Sequence, residues 1–362
     1  MVIPYIIQFA SNFATLSVLI FIPLLAKSFG ANSITIGILV ATYQGMLFLS
    51  SALFGRWADL KGRKRFVVFG LLFSAIIFFA HHFATDIYRL FLVRGLAGLA
   101  IGIFPAAIIA YVYEQKQNYK LGRFLAVGSL GWGIGSVFAG IIGVYQSLFT
   151  FSSLLYFATF LLALIFLKPT TKHIRQPFFN LAFIKRNWQV YLSFFLRNAG
   201  AFGIWAIFPL FLAHLGANKF WIGIIYSLNA FGQFFFMPHL DRFRSQTLIQ
   251  LGLYFSTATF VAFALCKNYW QILPFLILLA FSWSCLYLGS LKYLMEQNEE
   301  RSTAVGILHS ISSLAGIIGP LLGGLVGSLG YPAVMIMAAI FTIVGALIFR
   351  FYTTGTAKKT ER

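Results

Sequence analysis

Twelve apolar runs, each long enough to cross a bilayer, are separated in this chain by short breaks of charged, Gly, Asn and Pro residues. They lie near 3–26, 34–54, 66–83, 88–112, 122–144, 148–167, 188–213, 221–238, 247–265, 270–291, 303–327 and 333–351. A membrane-spanning helix needs about 20 such residues. Composition decides between a buried soluble core and a membrane: 60% of the 362 residues are hydrophobic and only 10% are charged, against roughly 25% charged in soluble domains. Inside hydrocarbon no water satisfies backbone N–H and C=O groups, so runs of this kind must be helices.

The second half of the chain faintly repeats the first. Asn12, Pro23, Leu24, Gly30-Ala31-Asn32 and Ile36-Gly37-Ile38 reappear 186 positions later as Asn198, Pro209, Leu210, Gly216-Ala217-Asn218 and Ile222-Gly223-Ile224. Ser129-Leu130, Ile134-Gly135 and Gly140 reappear 184 positions later as Ser313-Leu314, Ile318-Gly319 and Gly324. Two separate segments give nearly one offset, about half the chain. The expected fold class is therefore an all-α membrane protein with twelve transmembrane helices forming two pseudo-symmetric six-helix bundles. Duplicated hydrophobic halves are how many solute transporters are built.

Charge placement sets the expected orientation. Of the 27 Lys and Arg residues, 21 fall in loops and ends that share one side when the N-terminus is inside, among them Arg56, Lys61, Arg63, Lys64, Arg65, Lys185, Arg186 and Arg350. The positive-inside rule then places both termini in the cytoplasm of a multi-pass cell-membrane protein, and the formal charge of +19 points to anionic lipid, not to nucleic acid. The first span is read as retained and not as a cleaved signal. Cys266, at the end of one expected helix, and Cys285, inside another, imply no disulfide framework. The longest polar interruption, 168–187, contains Pro169, His173 and Pro177 and reads as a cytoplasmic linker between bundles 1–167 and 188–352. Its apolar stretch from Phe178 to Phe183 suggests a short interfacial helix, and 353–362 reads as a disordered cytoplasmic tail.

Between the second and third spans stands Gly55-Arg56-Trp57-Ala58-Asp59-Leu60-Lys61-Gly62-Arg63-Lys64-Arg65. This resembles the G-x-x-x-D-x-x-G-R-K/R loop signature of the major facilitator superfamily. The resemblance implies that Asp59 and Arg63 pair near helix ends from the other half, stabilise the outward-facing state and part when the protein opens inward, with Gly55 and Gly62 supplying the bend. Arg94-Gly95-Leu96-Ala97-Gly98 is similar to the family's R-x-x-x-G motif and implies gating or proton transfer through Arg94; a buried arginine tying backbone carbonyls together is the alternative. The exporter pattern G-P-x-x-G-G is incomplete at Gly135–Gly140 and complete at Gly319–Gly324, whereas Gly128-Ser129-Leu130-Gly131-Trp132 resembles the fifth helix of proton-coupled symporters, in which the tryptophan stacks on substrate.

Polar residues inside spans are costly and so mark a wet interior. Gln8, Ser11, Asn12 and Thr15 follow helical spacing on the first span. Tyr43, Gln44, Trp132, Arg197, Asn198, Trp205, Asn229, Gln233, Tyr287 and His309 complete the expected substrate cavity. Arg197 lies close to mid-membrane and has Ser11 as its repeat counterpart, so the fold does not require it; contact with an anionic or strongly hydrogen-bonding part of a substrate is expected. All eight carboxylates lie near helix ends or in loops, which leaves Asp59, Glu114 and His309 as candidates for proton coupling.

No catalytic constellation, metal-ligand spacing or phosphate-cradling Gly-Lys-Ser/Thr loop is present, so an enzyme and an ATP-driven pump are disfavoured and no cofactor is expected. The expectation is a monomeric secondary carrier for a small-molecule substrate, working by alternating access in the lipid bilayer, with efflux and protons as coupling ion. Uptake or exchange of a sugar-like or anionic metabolite is the alternative, and a non-transporting receptor or scaffold the remote one.

Overall fold

The computed structural model describes residues 2–31, 33–115, 121–169, 181–217, 219–327 and 329–360. Among them are fourteen α-helices and no strand. They are α1 (Ile3–Leu19), α2 (Ile22–Ser28), α3 (Ser33–Lys61), α4 (Arg63–Ala80), α5 (Ile87–Ile103), α6 (Pro105–Gln115), α7 (Leu121–Ile142), α8 (Tyr145–Phe166), α9 (Leu181–His214), α10 (Lys219–Leu240), α11 (Ser245–Leu265), α12 (Ile272–Gln297), α13 (Arg301–Gly327) and α14 (Tyr331–Thr360). Taking α1 with α2 and α5 with α6 as interrupted spans leaves twelve, six on each side of the central linker. Pro105 explains the second interruption: at the first position of α6 it lacks the N–H that would continue α5. Among the described residues ten helices are long and apolar enough to cross a membrane, and Ile3–Leu19 is a shorter apolar helix.

Several boundaries differ from the sequence expectation. The Gly55–Arg65 segment is not a loop: α3 runs through Lys61, α4 starts at Arg63, and Gly62 alone stands between them at φ +95. A side chain is strained at that φ, which is why glycine makes the corner. Within the expected linker, residues 170–180 lie outside the described ones, while 181–187 are the first turns of α9 and not a separate interfacial helix. The segment expected as a disordered tail is helical as far as Thr360, as the end of α14.

The chain forms two compact units. The first comprises Met1–Phe178 and Met295–Ser313; the second comprises Phe179–Leu294 and Leu314–Arg362. The end of α12 and the first half of α13 therefore pack with the first unit, although the sequence assigns them to the second bundle.

Each unit repeats the same internal devices. Gly30 and Gly216, paired by the sequence repeat, both adopt positive φ, +80 and +89. The residue after each donates its backbone N–H five residues back, Ala31 to Ala26 at 3.1 Å and Ala217 to Leu212 at 2.9 Å. That is the Schellman closure of a helix C-terminus, which glycine favours. Asn32 and Asn218, the third members of the repeated triplets, lie outside the described residues.

Helix contacts repeat too. In the first unit Gly135 of α7 lies against the carbonyl of Phe13 on α1; in the second, Gly319 of α13 lies against the carbonyl of Ala199 on α9. Phe13 and Ala199 are themselves 186 positions apart. Gly140 and Gly324, also paired by the repeat, both face open space. In the second unit α9, α11, α12 and α14 enclose an apolar core around Phe208, Phe260, Phe263 and Leu276, with the rings of Phe208 and Phe263 stacked at 5.5 Å.

Close approach at glycine gives a test. A Cβ at Gly252 on α11 would come within 2.5 Å of the Leu286 backbone nitrogen on α12, whereas one at Gly140 meets nothing within 4 Å. Gly252→Ala should destabilise by about 1–3 kcal/mol, the usual range for overpacking. Gly140→Ala should be neutral or stabilising by roughly 0.5–1 kcal/mol. Thermal unfolding of the two purified variants in detergent checks both signs.

Candidate functional site

The corner between α3 and α4 carries a buried charge cluster in the first unit. Asp59, on the last turn of α3, is 1% exposed. Its carboxylate accepts from the backbone N–H groups of Ser302 and Thr303 at 3.2 and 2.7 Å and from the Thr303 hydroxyl at 2.7 Å. These are first-turn residues of α13, whose N–H groups have no partner within their own helix. A carboxylate there satisfies two of them and complements the positive end of the helix dipole.

Arg63 sits one turn beyond Asp59 and binds it at 2.9 Å. Its Nε donates to the Ser302 hydroxyl at 2.8 Å, and its other arm forms an ion pair with Glu114 on α6. Glu114 also pairs with Arg301 at 3.1 Å, and the Arg301 guanidinium lies 4.9 Å from the Tyr113 ring centre. Two carboxylates and two guanidiniums thus form a neutral cluster, the arrangement that makes burial of charge tolerable.

Glycines allow these backbones to meet. A Cβ on Gly55 would lie 2.6 Å from the Ser302 carbonyl oxygen, and Gly306 faces Ser51 in the same contact. Gly55 therefore serves close approach, and the bend belongs to Gly62 alone. One turn further along α13, Ser310 donates to the Phe48 carbonyl at 2.6 Å.

The polar stripe on α1 divides between two neighbours. Gln8 and Asn12 lie against Gly128 of α7, where a Cβ would meet either amide nitrogen at 2.7 Å. Thr15 turns to Tyr156 on α8, whose hydroxyl bonds the Thr15 hydroxyl and donates to the Ser11 backbone carbonyl at 3.0 Å, while the Ser11 hydroxyl donates to the Gln8 carbonyl of its own helix. Arg94 is buried with its guanidinium 4.2 Å from the Tyr43 ring centre. Trp132 is 44% exposed on α7. Gln44 and His309 are half-buried.

In the second unit Arg197 is 4% exposed. Its Nε donates to the Ser256 hydroxyl at 3.1 Å and Nη1 to Asn198 Oδ1 at 3.3 Å. The rings of Trp283 and Phe260 lie 4.9 and 5.6 Å from the guanidinium carbon, close enough for cation–π attraction. Ser256 in turn donates to Ser282 at 3.0 Å. Asn198 donates to the Phe194 carbonyl of its own helix. Tyr287 stacks on Trp283 with centroids 5.3 Å apart, Trp205 packs against Tyr226 at 5.2 Å, and Gln233 donates to Asn229 at 3.1 Å.

The structure thus joins Gly55, Asp59, Arg63 and Glu114; Gln8 and Asn12; Tyr43 and Arg94; Arg197 and Asn198; and Asn229 and Gln233. Sequence reasoning missed the partners Arg301, Ser302, Thr303 and Gly306, and also Ser256 and Trp283. The Arg-Ser-Thr start of α13 was a usable signal, because hydroxyl residues at a helix start favour capping.

Comparison with known proteins agrees with this architecture. A profile described as the Major Facilitator Superfamily matches residues 5–298 and 190–362. The class B tetracycline resistance protein of Escherichia coli is 24% identical over 79% of this chain and 77% of its own length. The multidrug resistance protein MdtG of Enterobacter lignolyticus is 24% identical over 90% of this chain and 85% of its own. The crystal structure of the human organic anion transporter MFSD10 covers 96% of this chain and 98% of its own, with a TM-score of 0.84 at 13% identity, a likeness of fold. On a match that spans nearly every residue, the chain belongs to the Major Facilitator Superfamily and is a multi-pass membrane transporter, not an enzyme.

Proposed function

We propose that this protein exports small organic compounds across the cell membrane by alternating access, in exchange for protons, as a monomer with both termini in the cytoplasm. The observation that carries the reading is the cluster of Asp59, Arg63, Glu114 and Arg301 on the first turn of α13. Such a clasp is a lock: it holds residues 295–313 against the first unit, and its release frees the start of α13 to move. Glu114 answers to two arginines at once, so a proton placed on it would remove the acceptor charge from both pairs. Asp59 and Glu114 are accordingly the groups through which a proton would couple to opening.

Export is supported by the relatives named for resistance to tetracycline and to multiple drugs. The polar groups that would meet a substrate are Gln8, Asn12, Asn198, Asn229 and Gln233, with aromatic surfaces from Tyr43, Trp132, Trp205 and Tyr287. A second reading, transport of an anionic solute, is favoured by Arg197, a guanidinium surrounded by hydroxyl, amide and aromatic groups.

Three measurements decide among these. Asp59→Asn removes the charge from a group accepting four hydrogen bonds of the charge-assisted kind, each worth about 1.5–3 kcal/mol. Losing one such bond shifts the lock by roughly 10- to 150-fold, and proton-driven tetracycline transport in proteoliposomes should fall by at least about tenfold while the protein still purifies as a folded species. Parental transport by that variant would refute the lock. For substrate charge, Arg197→Gln should leave transport of a cationic dye unchanged under the first reading and abolish transport of an organic anion under the second. For orientation, green fluorescent protein fused after Arg362 should fluoresce and alkaline phosphatase fused there should be inactive; the reverse pattern would invert the topology.

A further inference from the structure

The outer surface of the second unit holds a cleft that the transport reading leaves without a role. Helices α9 and α14 touch at Ser193 and Gly345, where the Ser193 hydroxyl donates to the Gly345 carbonyl at 2.8 Å. A Cβ on Gly345 would lie 3.2 Å from the Ser193 Cα. One to two turns further along both helices stands a cavity of about 480 Å³, lined by Trp188, Val344, Leu347, Ile348 and Phe351. That volume lies within the roughly 300–1,000 Å³ of small-ligand pockets.

The lining is predominantly apolar, yet the residues beyond one end are basic. Lys185 precedes Trp188 by three residues on α9, and Arg350 follows Leu347 by three on α14; both are exposed. Residues three apart lie on one helix face, about 4.5 Å further along the axis. Two cations therefore flank the same end of the cleft, one from each helix. Trp188, 42% exposed, lines the cleft at the end nearer these charges, and tryptophan is a residue that concentrates at membrane–water interfaces.

We propose that the α9–α14 cleft is a binding site for one anionic phospholipid, its acyl chain laid against Trp188, Leu347 and Phe351 and its phosphate held between Lys185 and Arg350. A zwitterionic lipid would fill the floor equally well, but its own ammonium would offset the attraction of two cations. The charge pair thus makes the site selective for headgroup. Basic pockets between transmembrane helices are suited to anionic headgroups, with about 1 kcal/mol contributed by each Lys or Arg near the surface. The site depends on the chain lying in a bilayer and not on what it transports.

Native mass spectrometry of the full chain, extracted from vesicles of equal phosphatidylglycerol and phosphatidylcholine, tests this. The parent should retain phosphatidylglycerol in preference to phosphatidylcholine. The double variant Lys185→Gln/Arg350→Gln should retain roughly 30-fold less phosphatidylglycerol, as expected for about 2 kcal/mol lost at two cations, with phosphatidylcholine unchanged. Lys185→Arg/Arg350→Lys, which keeps both charges, should retain it as the parent does, so a fold defect in the glutamine variant is told apart from loss of charge. Equal retention of the two lipids by the parent, or undiminished phosphatidylglycerol on the glutamine variant, overturns the proposal. A lipid-free dimer that Trp188→Ala dissociates would assign the cleft to a second copy of the chain and likewise overturn it.

Discussion

Helices surrounded by lipid gain little from the hydrophobic effect when they meet, because the tails they leave are as apolar as the side chains they join. Close backbone packing has to supply the attraction, and in this chain it is concentrated at glycines. Gly131 and Gly135 admit α1 to α7, Gly319 and Gly323 admit α9 to α13, and Gly252 admits α12 to α11. Where these contacts fall decides which polar groups come together. Gly55 and Gly306 let the α3 corner and the start of α13 approach closely enough for Asp59 to reach two backbone N–H groups. Without that approach the same carboxylate would be a buried charge with one partner.

The two kinds of interaction act on different links of the chain from sequence to function. Glycine contacts such as Gly131 on Phe9 and Gly319 on Ala199 bring one helix backbone against another and use no charge, which suits the body of a unit. The Asp59–Arg63–Glu114–Arg301 cluster is polar, and under the proposed function each of its members would exchange its bond for water as the segment 295–313 moves. An interaction that water can replace is reversible at modest cost, which is what a lock requires and a scaffold does not. The hydroxyl, amide and aromatic neighbours of Arg197 all come from within the second unit.

Much of the fold was legible in the residues. Span number and helix class follow from apolar length, and the duplication from one offset seen twice; the matched φ of Gly30 and Gly216 shows that the repeated residues do repeated work. Boundaries were less legible. Gly55–Arg65 looks like a loop because it is polar, but a helix can extend past the hydrocarbon edge, and only Gly62 leaves helical geometry. The stripe of Gln8, Ser11, Asn12 and Thr15 reads as one face, yet it spans about 100° of the helix circumference, wide enough for α7 to take one edge and α8 the other.

Sequence by itself determined that the chain is helical, lies in a membrane, consists of two related halves and carries an acid–base motif at one corner. Each follows from local quantities: apolar length, residue spacing, charge. Only the tertiary structure decided what the motif's carboxylate binds, that 295–313 packs with the first unit, and that Trp188 of α9 and Leu347 of α14 line a single cleft. Those outcomes depend on how far helices distant in sequence can approach and at what rotation, and spacing along one helix is silent about its neighbour.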